Sequence, residues 1–290
     1  MTQDDEPSAP AVAMPFPPGH FYSPIVDPAT LDPQRLWPPD PTVCGIDFND
    51  ASHVDILTRA FGRYHALYDY PDRLPESENL TQFFSENTQF SWLDPRALLV
   101  MLLDRRPRRV VEVGSGFSSL LIADVNVRYL GARMHVTCIE PYPRPFLARG
   151  VPGIAALVVE KVQDVALDAF LALRENDVLF IDSSHVAKTG SDVNFLFFEV
   201  LPRLAPGVLV HFHDVFLPLE YLKQWVLVEN RSWNEQYLLR AFLMYNRAFR
   251  IELFTAWLWN VKHEFMRQHL PLCARGGGGQ MWLRKLKVEG

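Results

Sequence analysis

Cysteine is scarce in this chain: there are 3 among 290 residues, at positions 44, 138 and 273. They are odd in number, far apart and form no C-x-x-C pair, which argues against a disulfide framework or a structural zinc site. Cys138 stands in an apolar strand and reads as a small core residue. A surplus of positive charge is missing too. With 28 Lys+Arg against 34 Asp+Glu, the net charge of −6 gives no electrostatic reason to expect a nucleic-acid partner. The local exception, Arg105-Arg106-Pro107-Arg108-Arg109, reads as a solvated helix end and loop. No apolar run is long enough to span a bilayer, so no membrane partner is expected. The acidic, proline-rich N-terminus lacks a signal-peptide pattern, and a cytoplasmic protein is expected. No internal repeat appears.

What is there divides into three parts. Residues 1–42 hold 11 of the 23 prolines and little periodicity. The first fifteen or so are expected to be disordered and the rest to form an extended arm over a folded surface. Residues 43–104 read as a helical cap. Asp50–Tyr68 has apolar residues spaced by three and four, and Asp94-Pro95 opens a second helix with an N-cap and a proline in its first turn. From 105 to 290 the pattern alternates. Strand candidates are Arg109–Val113, His135–Glu140, Ala156–Glu160, Val178–Asp182 and Val208–His213. Helical stretches fall between them, near 117–130, 143–149, 165–174 and 188–204. Short apolar runs separated by helices predict an α/β fold with a doubly wound, mostly parallel sheet built from right-handed crossovers. Phe249–Thr255 and Gln280–Lys287 are candidates for a last pair of strands, with Gly276–Gly279 a flexible turn before the second.

In an open parallel sheet, ligands sit at the carboxyl ends of the strands. The first candidate strand ends in Glu112-Val113-Gly114-Ser115-Gly116, an acidic residue followed by a glycine turn and a helix. Such a turn lets a ligand approach the backbone and the free N–H groups of the helix start. The second ends in Glu140, placed to accept hydrogen bonds from a ribose diol. Gln163-Asp164 follows the third, and can reach an adenine amino group. The fourth delivers Asp182-Ser183-Ser184-His185, and the fifth His211-Phe212-His213-Asp214. Each signal alone is weak, because a Gly-x-Gly turn is often only a tight connection. Five successive strand ends with polar groups are hard to explain as accident.

Glu112 before the turn, and Ser119 where a third glycine would stand, separate this pattern from the dinucleotide fingerprint. Over about residues 108–215 the chain resembles the class I S-adenosylmethionine-dependent methyltransferases, whose first motif is Glu/Asp-x-Gly-x-Gly. The resemblance implies a Rossmann-like seven-stranded sheet whose last strand, here Gln280–Lys287, is antiparallel. It implies that Glu112, Gly114, Ser115, Gly116 and Ser118 surround the methionine part of S-adenosyl-L-methionine. Glu140 would then hold the ribose and Asp164 the adenine edge, with Tyr142 a candidate stacking partner. Within that family, Phe180–His185 and Val210–Val215 look like the metal-dependent small-molecule O-methyltransferases. That branch implies a divalent metal, Mg or Mn, held by Asp182, His213 and Asp214. His213 departs from the carboxylate usual at its position, and an imidazole suits manganese, zinc or iron better than magnesium. By position His185 matches the branch's catalytic base, and His213 is the other candidate, with Asp182 beside both. An imidazole near neutral pH suits removal of a hydroxyl proton.

Trp233-Asn234-Glu235-Gln236-Tyr237 and Gly19–Pro24 also resemble segments of bacterial members, and a covering role on the substrate side follows from that likeness. The expected activity is methyl transfer to a hydroxyl of a sugar or another small metabolite. Competing readings are a metallohydrolase using Asp182, His211, His213 and Asp214, a nicotinamide-dependent oxidoreductase, and a non-catalytic binding protein of the same fold. His211 is more often a packed core residue than a ligand, and Ser183 and Ser184 suit a strand end. The extended arm leaves room for a homo-oligomeric contact.

Overall fold

The computed structural model describes residues 15–74, 80–91, 93–269 and 276–288. The first fourteen residues and Cys273 lie outside that set.

Five parallel strands form where the sequence is rich in β-branched and aliphatic residues. They are β1 Arg109–Val113, β2 His135–Ile139, β3 Ala156–Val158, β4 Val178–Ile181 and β5 Leu209–Phe212. Two more follow, β6 Phe249–Phe254 and β7 Met281–Lys285. The seven-stranded sheet has the order β3-β2-β1-β4-β5-β7-β6, and β7 runs antiparallel to both β5 and β6. The chain thus begins at the sheet's centre and winds to both sides, as expected for a doubly wound fold. Every residue of β4 and β5 is buried, the signature of strands covered on both faces.

Alternation along the strands sends side chains to two cores. Val110, Val136, Val178 and Leu209 join the core made with the N-terminal helices, whereas Val111, Leu179, Val210 and Leu283 join the opposite one. On the first face, register lines up Cys138, Glu112, Phe180, His211 and Trp282 in one row across five strands.

The helix Leu93–Arg105 lies against that row and is buried at nearly every position. Outside it runs a helical stretch from Asp50 to Leu67, with a widened turn over Ile56–Phe61. The expected helices therefore exist, and their apolar residues share one core with the sheet. The arm crosses the 221–232 region, where Trp37 Nε1 donates to the Tyr221 carbonyl at 3.0 Å and Val26 N to Ser232 Oγ at 3.4 Å. Gly277, Gly278 and Gly279 are packed rather than loose. A Cβ on Gly277 would overlap Trp259, and one on Gly278 would overlap the Asp94 carboxylate. No helix among the described residues is long and apolar enough to cross a membrane.

Candidate active site

The site gathers at the carboxyl ends of β1, β2, β4 and β5. Gly114 and Gly116 do different work there. Gly114 adopts φ +78, and a Cβ on it would overlap the carbonyl oxygen of Asp182. Only glycine permits both the left-handed turn and this close approach. The turn after β1 is thereby pressed against the chain leaving β4, and the Asp182 N–H donates to the Val113 carbonyl at 2.9 Å. Gly116, in contrast, opens on free space: a Cβ there would meet no atom within 4 Å. The helix Phe117–Tyr129 starts immediately behind it, with no side-chain cap on its first N–H groups. An uncapped helix start beside open space fits an anionic or polar ligand group.

Glu112 does not face that space. Its side chain is fully buried in the row on the sheet and accepts hydrogen bonds from Ser118 Oγ at 2.7 Å, Ser119 Oγ at 2.5 Å and Cys138 Sγ at 3.3 Å. Burial pushes its carboxyl up to about 7, although the two serines and the thiol oppose the shift. Glu112 and Ser118, expected around the methionine part of the cofactor, instead tie the helix start to the sheet from inside. Glu140 is the acid fixed beside the open turn. Its Oε2 accepts from Ser115 N at 3.1 Å and its Oε1 from Tyr142 N at 2.8 Å. The carboxylate is thus fixed beside the glycine turn by two backbone amides. The Tyr142 ring is 80% exposed. Asp164 ends a short helical turn, Val162–Asp164, beyond β3.

A second group lies at the ends of β4 and β5. One ligand atom each of Asp182, His185 and Asp214 falls within 4.8 Å of the others. His185 Nε2 is 3.2 Å from Asp182 Oδ1 and 3.5 Å from Asp214 Oδ2. His185 and Asp214 both sit at positive φ, +60 and +56. That backbone conformation is unfavourable for residues with a Cβ and is found where surrounding structure enforces it, often at sites. Two carboxylates and an imidazole are a donor set that suits a divalent transition ion such as manganese, so the residues present fit the metal that the resemblance implies.

The candidate group contains His185 beside the two aspartates, where the sequence reading named His213. His213 is the neighbour. Its Nδ1 is 3.4 Å from Asp214 Oδ1 and 3.6 Å from Asp182 Oδ1, and its Nε2 is 3.4 Å from Asp94 Oδ2. Both ring nitrogens are buried and neither has a hydrogen-bond partner among the described residues. Burial opposes the charged form of both imidazoles. The carboxylates outweigh it, raising His213 well above its ordinary value and His185 to about 10. Asp182 is correspondingly held low, since His213 and His185 overcome the effect of its burial. His211 belongs to none of this. It is fully buried in the sheet row, stacked on Phe180 at 3.8 Å and edge-on to Trp282 at 5.0 Å. Burial and the nearby His213 charge keep it neutral.

Two residues enter the site without having been named as site residues: Asp94 had read only as a helix cap, and Glu235 lay within the segment expected to cover the substrate side. Asp94, at the start of the cap helix, accepts from Gly279 N at 3.2 Å and from Gln280 Nε2 at 3.0 Å while reaching His213. Glu235, fifty residues beyond His185, accepts from or pairs with its Nδ1 at 2.8 Å. Trp233 lies over the same imidazole, with centroids 4.3 Å apart. The likeness of the 233–237 segment placed it near the substrate side, but nothing in the sequence paired Glu235 with His185 or Asp94 with His213. A cavity of about 1060 Å³ opens from His213 and Asp214, between residues 85–91 of the cap and the glycine run, with Phe216, Trp225 and Trp259 among its walls.

Residues 111–215 match a family model described as a methyltransferase domain. An uncharacterized protein of Archaeoglobus fulgidus is 38% identical over 170 residues, covering 56% of this chain and 75% of the relative. Among solved structures, the O-methyltransferase TomG from Streptomyces achromogenes, involved in tomaymycin synthesis and solved with S-adenosylmethionine, is 16% identical. That match covers 83% of this chain and 92% of TomG, with a TM-score of 0.39. An O-methyltransferase from Bacillus cereus in complex with S-adenosylhomocysteine is 14% identical, covering 80% of this chain and 90% of the other, with a TM-score of 0.39. Both likenesses are distant in sequence and in shape.

Proposed function

The chain belongs to the class I S-adenosylmethionine-dependent methyltransferases, and from that premise we propose that it methylates a hydroxyl oxygen of a small acceptor, a sugar or another metabolite, with help from a divalent metal ion. One observation carries the reading. The glycine turn of β1 and the Asp182–His185–Asp214 group are locked together by the contact of Gly114 with the Asp182 backbone. A methyl donor at the turn and an acceptor at the carboxylates would therefore meet at one place. The space open at Gly116 suits the donor, and the Glu140 carboxylate, held by two amides, suits a ribose diol. The cavity beyond Asp214 suits the acceptor, because aromatic walls and polar rims favour a ring that carries hydroxyls.

Asp182, His185 and Asp214 would hold the metal ion, which when bound lowers the pKa of a neighbouring hydroxyl and orients it. The acceptor proton passes to His213. In the metal-free protein the surrounding carboxylates favour the His213 imidazolium, so this residue serves as a base only once their charge is offset. The acceptor oxygen then forms a bond to the sulfonium methyl carbon, and the electrons of the breaking carbon–sulfur bond stay on sulfur. The demethylated cofactor leaves, and the proton stays on the imidazole until solvent takes it. The reaction's main demand is alignment of oxygen, carbon and sulfur, which a rigid two-sided site meets.

A metallohydrolase would need His211 as a ligand, but that ring is packed between Phe180 and Trp282 inside the sheet row. The test is transfer of labelled methyl from S-adenosylmethionine to hydroxylated sugars and phenols, with and without chelator. Activity should fall on chelation and recover with manganese. Activity indifferent to chelator, and to both Asp182→Asn and Asp214→Asn, would overturn the metal-assisted mechanism.

A further inference from the structure

We infer that Glu235 is a positioning residue for the metal site: it fixes the orientation and tautomer of His185, so that Nε2 is the atom turned toward Asp182 and Asp214. The inference rests on the reading of that group as a metal site, and it assigns His185 a ligand's role rather than a base's.

Glu235 is only 2% exposed, and a buried carboxylate is costly unless it is paired and hydrogen-bonded. Its two oxygens have two partners. Oε2 meets His185 Nδ1 at 2.8 Å, and Oε1 accepts from Ser183 Oγ at 3.0 Å. Both partners stand on the short segment between β4 and the next helix, three residues or fewer from Asp182. The backbone reinforces the same junction. The N–H groups of Asn234 and Glu235 donate to the His185 carbonyl at 3.0 and 3.1 Å, and Asn234 Oδ1 accepts from Ala187 N at 2.6 Å. The start of the helix Glu235–Leu243 therefore grips the chain on both sides of His185, where its φ of +60 has to be enforced.

An apolar contact would hold the helix in place without burying a charge. A carboxylate here does something an apolar residue does not: it accepts the Nδ1 proton, which leaves the Nε2 lone pair free on the side of the two aspartates. A metal-bound histidine commonly donates its other ring N–H to such a carboxylate, and removal of that outer partner typically costs 10–100-fold in metal affinity. Trp233, with its ring centroid 4.3 Å from that of the imidazole, further limits the ring's freedom. The consequence is that the segment bordering the acceptor cavity is mechanically tied to the metal site, since Trp225 in the cavity wall packs on Trp233 at 5.2 Å.

The experiment uses the full chain and isothermal titration with manganese and cobalt chlorides, on the wild type, Glu235→Gln, Ser183→Ala and His185→Ala. S-adenosylhomocysteine affinity is measured alongside as a check that each variant is folded. Glu235→Gln should weaken metal binding 10–100-fold with cofactor affinity unchanged, and Ser183→Ala by less than about tenfold. In the cobalt-loaded wild type, proton NMR should show a slowly exchanging, paramagnetically shifted imidazole N–H that Glu235→Gln removes. Metal affinity within twofold of wild type in Glu235→Gln would overturn the assignment while leaving the metal site standing. A wild type that binds neither ion would remove the metal reading itself, and this inference with it. Should Glu235→Gln not fold, the wild-type cobalt spectrum decides, and absence of the shifted N–H overturns the assignment.

Discussion

Replacing Glu112 by glutamine should remove one component of the protein's pH-dependent stability, with a size that follows from its setting. The carboxyl is fully buried and raised from 4.5 to about 7. The folded protein therefore holds a proton there that the unfolded chain has given up. A raised carboxyl contributes stability that is fully present below the unfolded value of 4.5 and is lost as pH rises toward 7. The full difference is on the order of 3 kcal/mol at 1.36 kcal/mol per pH unit, and about 2–3 kcal/mol of it falls between pH 5 and 8. Glu112→Gln resembles the neutral acid in shape and still offers an oxygen to Ser118 or Ser119. Urea unfolding of the cofactor-free protein at several pH values would measure the effect. The variant should gain on the wild type by that amount from pH 5 to pH 8. A difference between the two proteins that stays constant with pH would refute the reasoning.

The two glycines of the turn should respond in opposite ways. Gly114→Ala meets the Asp182 carbonyl at a positive φ, so it should destabilise the fold by more than about 1 kcal/mol and weaken metal binding, as read by thermal melting and titration. Gly116→Ala faces free space, so melting should change little while S-adenosylhomocysteine affinity drops by about tenfold, roughly 1.4 kcal/mol. Equal effects of the two substitutions in both assays would contradict their assigned roles. His211→Leu should leave methyl transfer intact and hold or raise stability, because it removes a buried ring whose nitrogens have no hydrogen-bond partner among the described residues. Loss of activity in that variant, with the fold retained, would reopen a ligand role for His211.

The fold was legible because the physical signals were local and repeated. Apolar runs such as Val110-Val111-Glu112-Val113 and Val178-Leu179-Phe180-Ile181 read as buried parallel strands, and the observed strands fall within one or two residues of the expected ones. The direction of β7 came from the resemblance and not from spacing. Legibility ended where side chains meet across the fold. His185 and His213 both follow strand ends, and the positive φ of His185, the reach of Glu235 to it and the contact of Asp94 with His213 distinguish them. Asp94 read as a helix cap, while in space it lies inside the first turn of Leu93–Arg105 and is the acid that meets His213. The glycine run at 276–279 looked flexible in sequence, yet Trp259, Asp94 and Phe216 press closely on Gly277, Gly278 and Gly279, where a Cβ would overlap them. Glu112 matched the motif and still turned inward, because Ser118 and Ser119 on the following helix offer it hydroxyls inside the protein.

The central claim is that the turn from Glu112 to Gly116 holds the methyl donor. Isothermal titration of the full chain with S-adenosylmethionine and with S-adenosylhomocysteine tests it most directly. The account predicts one site per chain for both ligands, weakened by Gly116→Ala and by Glu140→Ala but unaffected by His211→Leu. Absence of binding to either ligand at millimolar concentration would contradict it.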